Sequence, residues 1–140
     1  MDFYGFYTGK IFDAYKYLGA HVEEKGVTFR TFAPSASRIT LIGEFNDWQE
    51  WEMNKVSDGN FWECYVPQAK AGQMYKYKIY DRNGNPVDHC DPYGFGMELR
   101  PSSASIIRDM SKYKFKDSQW LQSRSDCRKK PLNIYEIHFG

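Results

Sequence analysis

The chain has 140 residues, enough for one domain with a real hydrophobic core. Its 19 basic and 18 acidic residues leave a formal charge of +1, which argues against the basic face of an electrostatically driven nucleic-acid binder. Aromatic residues reach 18%, including 11 tyrosines, and turn residues recur throughout, a pattern that points to a β-sandwich.

Residues 1–9 are aromatic and punctuated by glycine, without a clear period. Residues 10–18 predict a short helix, with Ile11, Phe12, Tyr15 and Leu18 at helical spacing and Gly19 as its stop. From Val22 onward the pattern changes to strands. Residues 27–33 are β-rich and alternate roughly. Residues 34–37 break the strand, and residues 38–43 form the next one, with Ile39 and Leu41 on one face and Thr40 and Ile42 on the other. The sequence Glu44-Phe45-Asn46-Asp47-Trp48 then closes that strand with a turn-forming Asn-Asp pair followed by an indole. Trp51 and Met53 follow in a polar stretch. Ser57-Asp58-Gly59-Asn60 signals a hairpin turn into residues 61–66.

Residues 73–80 are the clearest two-faced strand. Tyr75, Tyr77 and Ile79 lie on one face, expected to meet the core, and Lys76, Lys78 and Tyr80 lie on the other. Residues 81–86 read as a turn, and Cys90-Asp91-Pro92-Tyr93-Gly94-Phe95-Gly96 as a rigid aromatic loop. Residues 104–107 are the last strand of the module. Residues 112–130 are polar and read as a linker, with a helical turn around Trp120 and Leu121. Residues 132–140 are again strand-like, including Tyr135, and lack an obvious partner nearby. Strands do not alternate with long helical patterns, so the expected class is mainly β, an antiparallel sandwich of immunoglobulin-like type.

Few residues suggest chemistry. Cys64, Cys90 and Cys127 are odd in number and form no C-x-x-C pair, so neither a disulfide framework nor a zinc site is indicated. Thiols that stay reduced fit a cytoplasmic location. The N-terminus lacks the basic and apolar regions of a secretory signal, and no apolar run reaches membrane-spanning length. His89, Cys90 and Asp91 are adjacent, but a lone His-Cys pair reads as a structural loop rather than a metal site. No phosphate loop, nucleophile elbow or paired carboxylates in a burying environment occur. The expectation is a non-catalytic module with no cofactor, no metal, no nucleic acid and no membrane partner. Trp48 and Trp51 could offer aromatic faces, and Lys76 and Lys78 hydrogen-bond donors, as a sugar ring and its hydroxyls require. The competing readings are a core cap for Trp48, since Trp is highly buried on average, and ordinary solvated surface for the lysines.

Several motifs resemble the opening of the glycogen (1,4-α-glucan) branching enzymes. They are Gly19-Ala20-His21, Phe29-Arg30-Thr31-Phe32-Ala33-Pro34-Ser35-Ala36, Gly43-Glu44-Phe45-Asn46-Asp47-Trp48 and Gly72-Gln73-Met74-Tyr75-Lys76-Tyr77. Asp91-Pro92-Tyr93-Gly94-Phe95, Arg100-Pro101-Ser102-Ser103-Ala104-Ser105 and the terminal Ile134-Tyr135-Glu136-Ile137-His138 extend the likeness. The F-N-x-W and Y-K-Y elements alone are similar to family 48 carbohydrate-binding modules at large. With the short helix read above, residues 1–20 form an N-terminal helical segment, and the resemblance implies a β-sandwich module over 21–108. A linker over 109–131 and the truncated first strand of a (β/α)8 barrel from 132 to 140 would follow.

The resemblance further implies a parent enzyme that cuts α-1,4-glucan and transfers the segment to a 6-hydroxyl, with its nucleophile and acid/base on barrel strands beyond this segment. No catalytic residue is assigned within it. Candidate carbohydrate-binding residues are Trp48, Lys76, Asn46 and Trp51. Candidate residues for docking on the chain's own barrel are Asp91, Pro92, Tyr93 and Tyr135. Such modules use a second Trp after the Y-K strand, and residues 81–88 here contain no aromatic. A single platform implies weak binding, about 1 mM or near −4 kcal/mol. The alternatives are a stand-alone glucan-binding module, or the N-terminal module of a debranching or trehalose-forming enzyme.

Overall fold

The computed structural model describes residues 1–126, 130–131 and 133–140. The chain divides into two compact units, Met1–Asp109 and Met110–Gly140.

The first unit is a sandwich of two antiparallel sheets. One sheet has the order β1-β2-β6-β5, where β1 is Gly19–Glu23, β2 Gly26–Phe32, β5 Asn54–Val56 and β6 Phe61–Val66. The other has the order β4-β3-β7-β8, where β3 is Arg38–Gly43, β4 Trp51–Glu52, β7 Met74–Tyr80 and β8 Pro86–His89. Strand β9, Ser105–Ile106, pairs with the start of β7, ahead of the stretch that pairs with β8.

Strict alternation fills the space between the sheets. Val27 and Phe29 on β2, Trp62, Cys64 and Val66 on β6, Ile39 and Leu41 on β3, and Tyr75 and Tyr77 on β7 are all buried in one cluster. The Phe29 and Tyr75 rings meet edge to face at 4.9 Å, a favourable aromatic geometry. Burial pushes the Cys64 thiol up to about 12, so this thiol packs as an inert apolar group. The sequence expectation for β7 holds, with Tyr75 and Tyr77 inward and Lys76 half-exposed.

The N-terminal segment departs from expectation. The helix is α1, Phe3–Tyr7, and within residues 10–18 only a 3-10 turn forms, Ala14–Lys16. Asp2 caps α1, its Oδ1 accepting from the Gly5 N–H at 2.9 Å. A helix this short needs tertiary packing. Phe3 and Phe6 lie 4.8 and 5.4 Å from the Phe61 ring, and Phe6 lies 5.1 Å from Phe32. Phe32 and Phe61 are cross-strand partners on the outer face of the first sheet. Residues 10–18 then only have to lead the chain back to Gly19. Phe12, expected on an apolar helix face, is 90% exposed. The segment thus covers the outer face of the β1-β2-β6-β5 sheet.

The expected turn at residues 81–86 is present up to Asn85, and beyond it Pro86–His89 forms a further strand, β8, not among those expected from the sequence. Asp81 Oδ1 accepts from the Asn83 and Asn85 backbone N–H groups at 2.7 and 2.9 Å, which closes a hairpin and lets residues 86–89 pair back on β7.

The second unit has a 3-10 turn, Met110–Lys112, and helix α2, Ser118–Ser123. Residues 133–140 form neither helix nor strand; Leu132, at the start of the expected strand, and Cys127 lie outside the described residues.

Candidate functional site

The end of β3 and the turn after it position Trp48. Gly43 closes the strand where a β-carbon would stand 2.7 Å from both the Met74 carbonyl oxygen and the Phe45 ring, so no larger residue fits. A 3-10 turn follows, Glu44–Asn46, which buries Phe45 in the core. Asp47 and Trp48 then take φ values of 53° and 59°. Left-handed backbone is costly for a bulky residue, and such strain clusters at functional sites. Asn46 holds the turn: its Oδ1 accepts from the Gly43 N–H at 3.0 Å and its Nδ2 donates to the Gln49 carbonyl at 2.6 Å. The Trp48 N–H closes on the Gly43 carbonyl at 2.9 Å. Glu44 Oε2 accepts from the Met74 N–H at 2.7 Å, tying the turn to the start of β7.

The result is an indole held outward. Trp48 is 41% exposed, against 3% for Trp62, whose Nε1 donates to the Ala33 carbonyl in the interior. Among the described residues no aromatic ring or cation stacks on Trp48. Of the other sequence candidates, Lys76 lies on the outer face of β7, opposite Ile42 and one position from the Gly43–Tyr75 pair. Two candidates change role. Asn46 spends its amide on the backbone of the turn. Trp51 pairs with the inward-facing Leu41 and packs against the core, so it does not share a platform with Trp48.

The docking candidates also separate. Asp91 is buried inside the first unit rather than exposed for docking. Its Oδ2 accepts from the Tyr75 and Tyr77 hydroxyls at 2.6 and 3.0 Å, its Oδ1 accepts from the Tyr93 N–H at 2.8 Å, and its own N–H donates to Ser105 Oγ at 2.8 Å. Desolvation raises the Asp91 carboxyl above the ordinary carboxylate range, opposed by the hydrogen bonds from Tyr75 and Tyr93. Desolvation and the neighbouring Asp91 likewise hold both phenols protonated. Asp91 is a docking candidate only through the Asp-Pro-Tyr motif of the family resemblance; the signal for its burial is the pair of inward tyrosines with hydroxyls to satisfy. Pro92 is exposed and Tyr93 half-buried; the Tyr93 carbonyl comes close enough to Gly19 that a β-carbon there would stand 2.8 Å away, at a φ of 102°. Tyr135 belongs to the second unit.

The outer face of the β4-β3-β7-β8 sheet carries a polar network that the sequence did not reveal. Glu50 is its hub. It accepts from the Tyr80 hydroxyl at 2.8 Å and from Thr40 Oγ1 at 3.2 Å, and pairs with Arg38 at 3.2 Å and Lys78 at 3.8 Å. The Tyr80 hydrogen bond, aided by Thr40, Arg38 and Lys78, holds the Glu50 carboxyl below its ordinary range. Among the described residues no group of three or more His, Cys, Asp or Glu could hold a metal ion, and no helix is long and apolar enough to cross a membrane.

The first unit is therefore an immunoglobulin-like β-sandwich module with one sheet face covered by its own N-terminal segment. Residues 17–94 match carbohydrate-binding module 48 (isoamylase N-terminal domain), and the chain belongs to that family. It is 39% identical to a 1,4-alpha-glucan branching enzyme GlgB of Fusobacterium nucleatum, aligned over 100% of this chain and 23% of that protein. It is 37% identical to the GlgB 1 branching enzyme of Clostridium perfringens, over 99% of this chain and 22% of that protein. The chain thus spans less than a quarter of the length of these relatives. The fold is also that of pullulanase from Klebsiella pneumoniae in its maltotriose complex (TM-score 0.59, 24% identity, 71% of this chain, 12% of that chain). Pullulanase from Bacillus acidopullulyticus is similar (TM-score 0.57, 23% identity, 74% of this chain, 13% of that chain).

Proposed function

We propose that this chain is the N-terminal module of a 1,4-α-glucan branching enzyme. The parent protein would cleave α-1,4-glucan and transfer the released segment to form α-1,6 branches in glycogen synthesis, in the cytoplasm. The module itself is non-catalytic. It supports the catalytic barrel and binds glucan, with the indole of Trp48 stacking on a sugar face and Lys76 donating to hydroxyls. Residues 109–131 link it to a barrel whose first strand begins near residue 132, and Pro92, Tyr93 and Tyr135 contribute to docking on that barrel.

The observation that carries the glucan-binding reading is the outward, left-handed Trp48. A tryptophan needed only to cap the core would not require strained backbone to stay exposed. An apolar face with a polar N–H edge suits a sugar ring, and Lys76 adds a donor on the adjacent strand. Electrophoresis in a gel containing glycogen tests this: the 140-residue chain should be retarded, and Trp48→Ala should run as in a glycogen-free gel while keeping its circular dichroism spectrum. An unretarded wild-type chain would refute glucan binding. The enzymatic reading is tested on the longer protein, which should convert amylose into a glucan whose side chains are released by an α-1,6-specific hydrolase.

A further inference from the structure

The cross-strand register places three pairs in a row on the outer side of β3 and β7: Ile42 with Lys76, Thr40 with Lys78, and Arg38 with Tyr80. Ile42 and Thr40 are themselves buried, so the groups of these pairs open to a ligand are Lys76, Lys78, Tyr80 and Arg38. From Lys76 to Tyr80 the row runs about 13 Å along the strand. Glu52 flanks it from β4, opposite Thr40, and Asp88 from β8, opposite Lys78. The far end is a layered platform: the Arg38 guanidinium lies 4.6 Å from the Tyr80 ring centroid, and Arg38 is held by Glu52 as well as Glu50.

This network does little for stability. Its charged side chains, Arg38, Glu50, Glu52, Lys78 and Asp88, are 27% to 59% exposed, and ion pairs so exposed contribute little. Yet it is ordered across four strands and continues the row that begins at Lys76. Its chemistry selects a ligand class. Two cations alternate with three carboxylates, so the row offers donors and acceptors side by side. An anion would meet the carboxylates and a cation the Arg and Lys. A neutral polyol can donate to Glu50 and accept from Arg38 and Lys78 with the same hydroxyls. Charge-assisted hydrogen bonds of this kind are the stronger ones, and a pre-ordered network loses less entropy when it makes them.

We propose that this row is an extended subsite along which a glucan chain runs from Trp48 and Lys76 to the Arg38–Tyr80 platform, with Glu50 as its central hydrogen-bonding group. The proposal rests on the glucan-binding reading of Trp48. It assigns to the strand face the second contact that residues 81–88, lacking any aromatic, do not supply.

Nitrogen-15 NMR titration of the 140-residue chain with maltotriose and with maltoheptaose tests it. The wild-type chain should bind the longer sugar more tightly. Glu50→Gln and Lys78→Met should each weaken maltoheptaose binding about tenfold, the worth of one charge-assisted hydrogen bond, and leave maltotriose binding nearly unchanged. Trp48→Ala should abolish binding of both. Glu50 lies in the segment before β4 and Lys78 on β7, 3.8 Å apart, so each variant is read against the wild type, with its amide spectrum as the check on folding. Equal wild-type affinity for the two sugars, or unaltered maltoheptaose binding in both strand-face variants, overturns the extended subsite and leaves the Trp48 reading standing. Binding of neither sugar by the wild-type chain overturns both.

Discussion

The Tyr75 hydroxyl donates to Asp91 Oδ2 at 2.6 Å in the buried interior. With the parallel bond from Tyr77 at 3.0 Å, it anchors both inward tyrosines of the Tyr75-Lys76-Tyr77 sequence on one carboxylate. Since side chains alternate along a strand, fixing the two tyrosines inward fixes Lys76 outward. A buried acid thus helps to set the register of a surface donor.

This acid sets a pH dependence of definite sign. Burial raises the Asp91 carboxyl in the folded chain, so the folded state retains a proton that the unfolded state has released. The contribution is fully present below the unfolded carboxyl value, about 3.9, and is lost as pH rises through the folded value. Urea unfolding of the wild type and Asp91→Asn across pH 3.5–7, about the acid range, should show the wild type losing ground to the variant as pH rises. A constant difference across that range would show that Asp91 has the same proton affinity folded and unfolded.

Trp48→Gly separates a strained platform from a core cap. Glycine takes positive φ freely, and a left-handed non-glycine residue costs about 1–2 kcal/mol. The variant should hold or raise its melting temperature while losing retention on glycogen. A core-capping tryptophan would instead cost about 3–5 kcal/mol on truncation, and differential scanning calorimetry distinguishes the two.

Asn46→Ala removes the acceptor of the Gly43 N–H and the donor to the Gln49 carbonyl. With about 1 kcal/mol for each hydrogen bond, the expected cost is about 2 kcal/mol by chemical denaturation. Binding should weaken as well, because the turn that orients Trp48 is loosened. Asn46→Asp keeps the acceptor and should recover part of both losses.

Deleting residues 1–12 should uncover Phe32 and Phe61, which α1 covers through Phe3 and Phe6. The shortened chain should melt at lower temperature and bind an apolar dye such as ANS. Glycogen retention should persist, because Lys76 lies on the other sheet and Trp48 on the turn that follows its strand β3. A milder change, Tyr7→Phe, removes a hydroxyl that donates to Asp58 at 2.5 Å and accepts from Asn60 at 2.9 Å, both at the exposed surface, and should have little effect on melting.

Much of the sandwich was legible because burial on one face imprints a period of two. Residues 74–80 alternate cleanly and residues 27–32 roughly; both form strands, and β7 turns the expected Tyr75 and Tyr77 inward. Trp48 was legible as an exposed candidate because Asn46 and Asp47 mark a turn on local chemistry alone. The helix at Phe3–Tyr7 was not legible, since five residues carry no usable period and the choice was made by contact with Phe32 and Phe61. Trp51 was misplaced for a similar reason: its direction follows from its register opposite Leu41, which is a property of the pairing.

The sequence by itself determined the β-sandwich class, the inward tyrosines of β7 and the turn that carries Trp48, because each follows from alternation or from short-range backbone chemistry. The tertiary structure alone decided that Asp91 is an internal anchor, that the N-terminal segment covers one sheet, and that Arg38, Glu50, Lys78 and Tyr80 form one network. Those relationships join residues 10 to 58 positions apart in the chain, and only strand pairing and sheet packing bring them together.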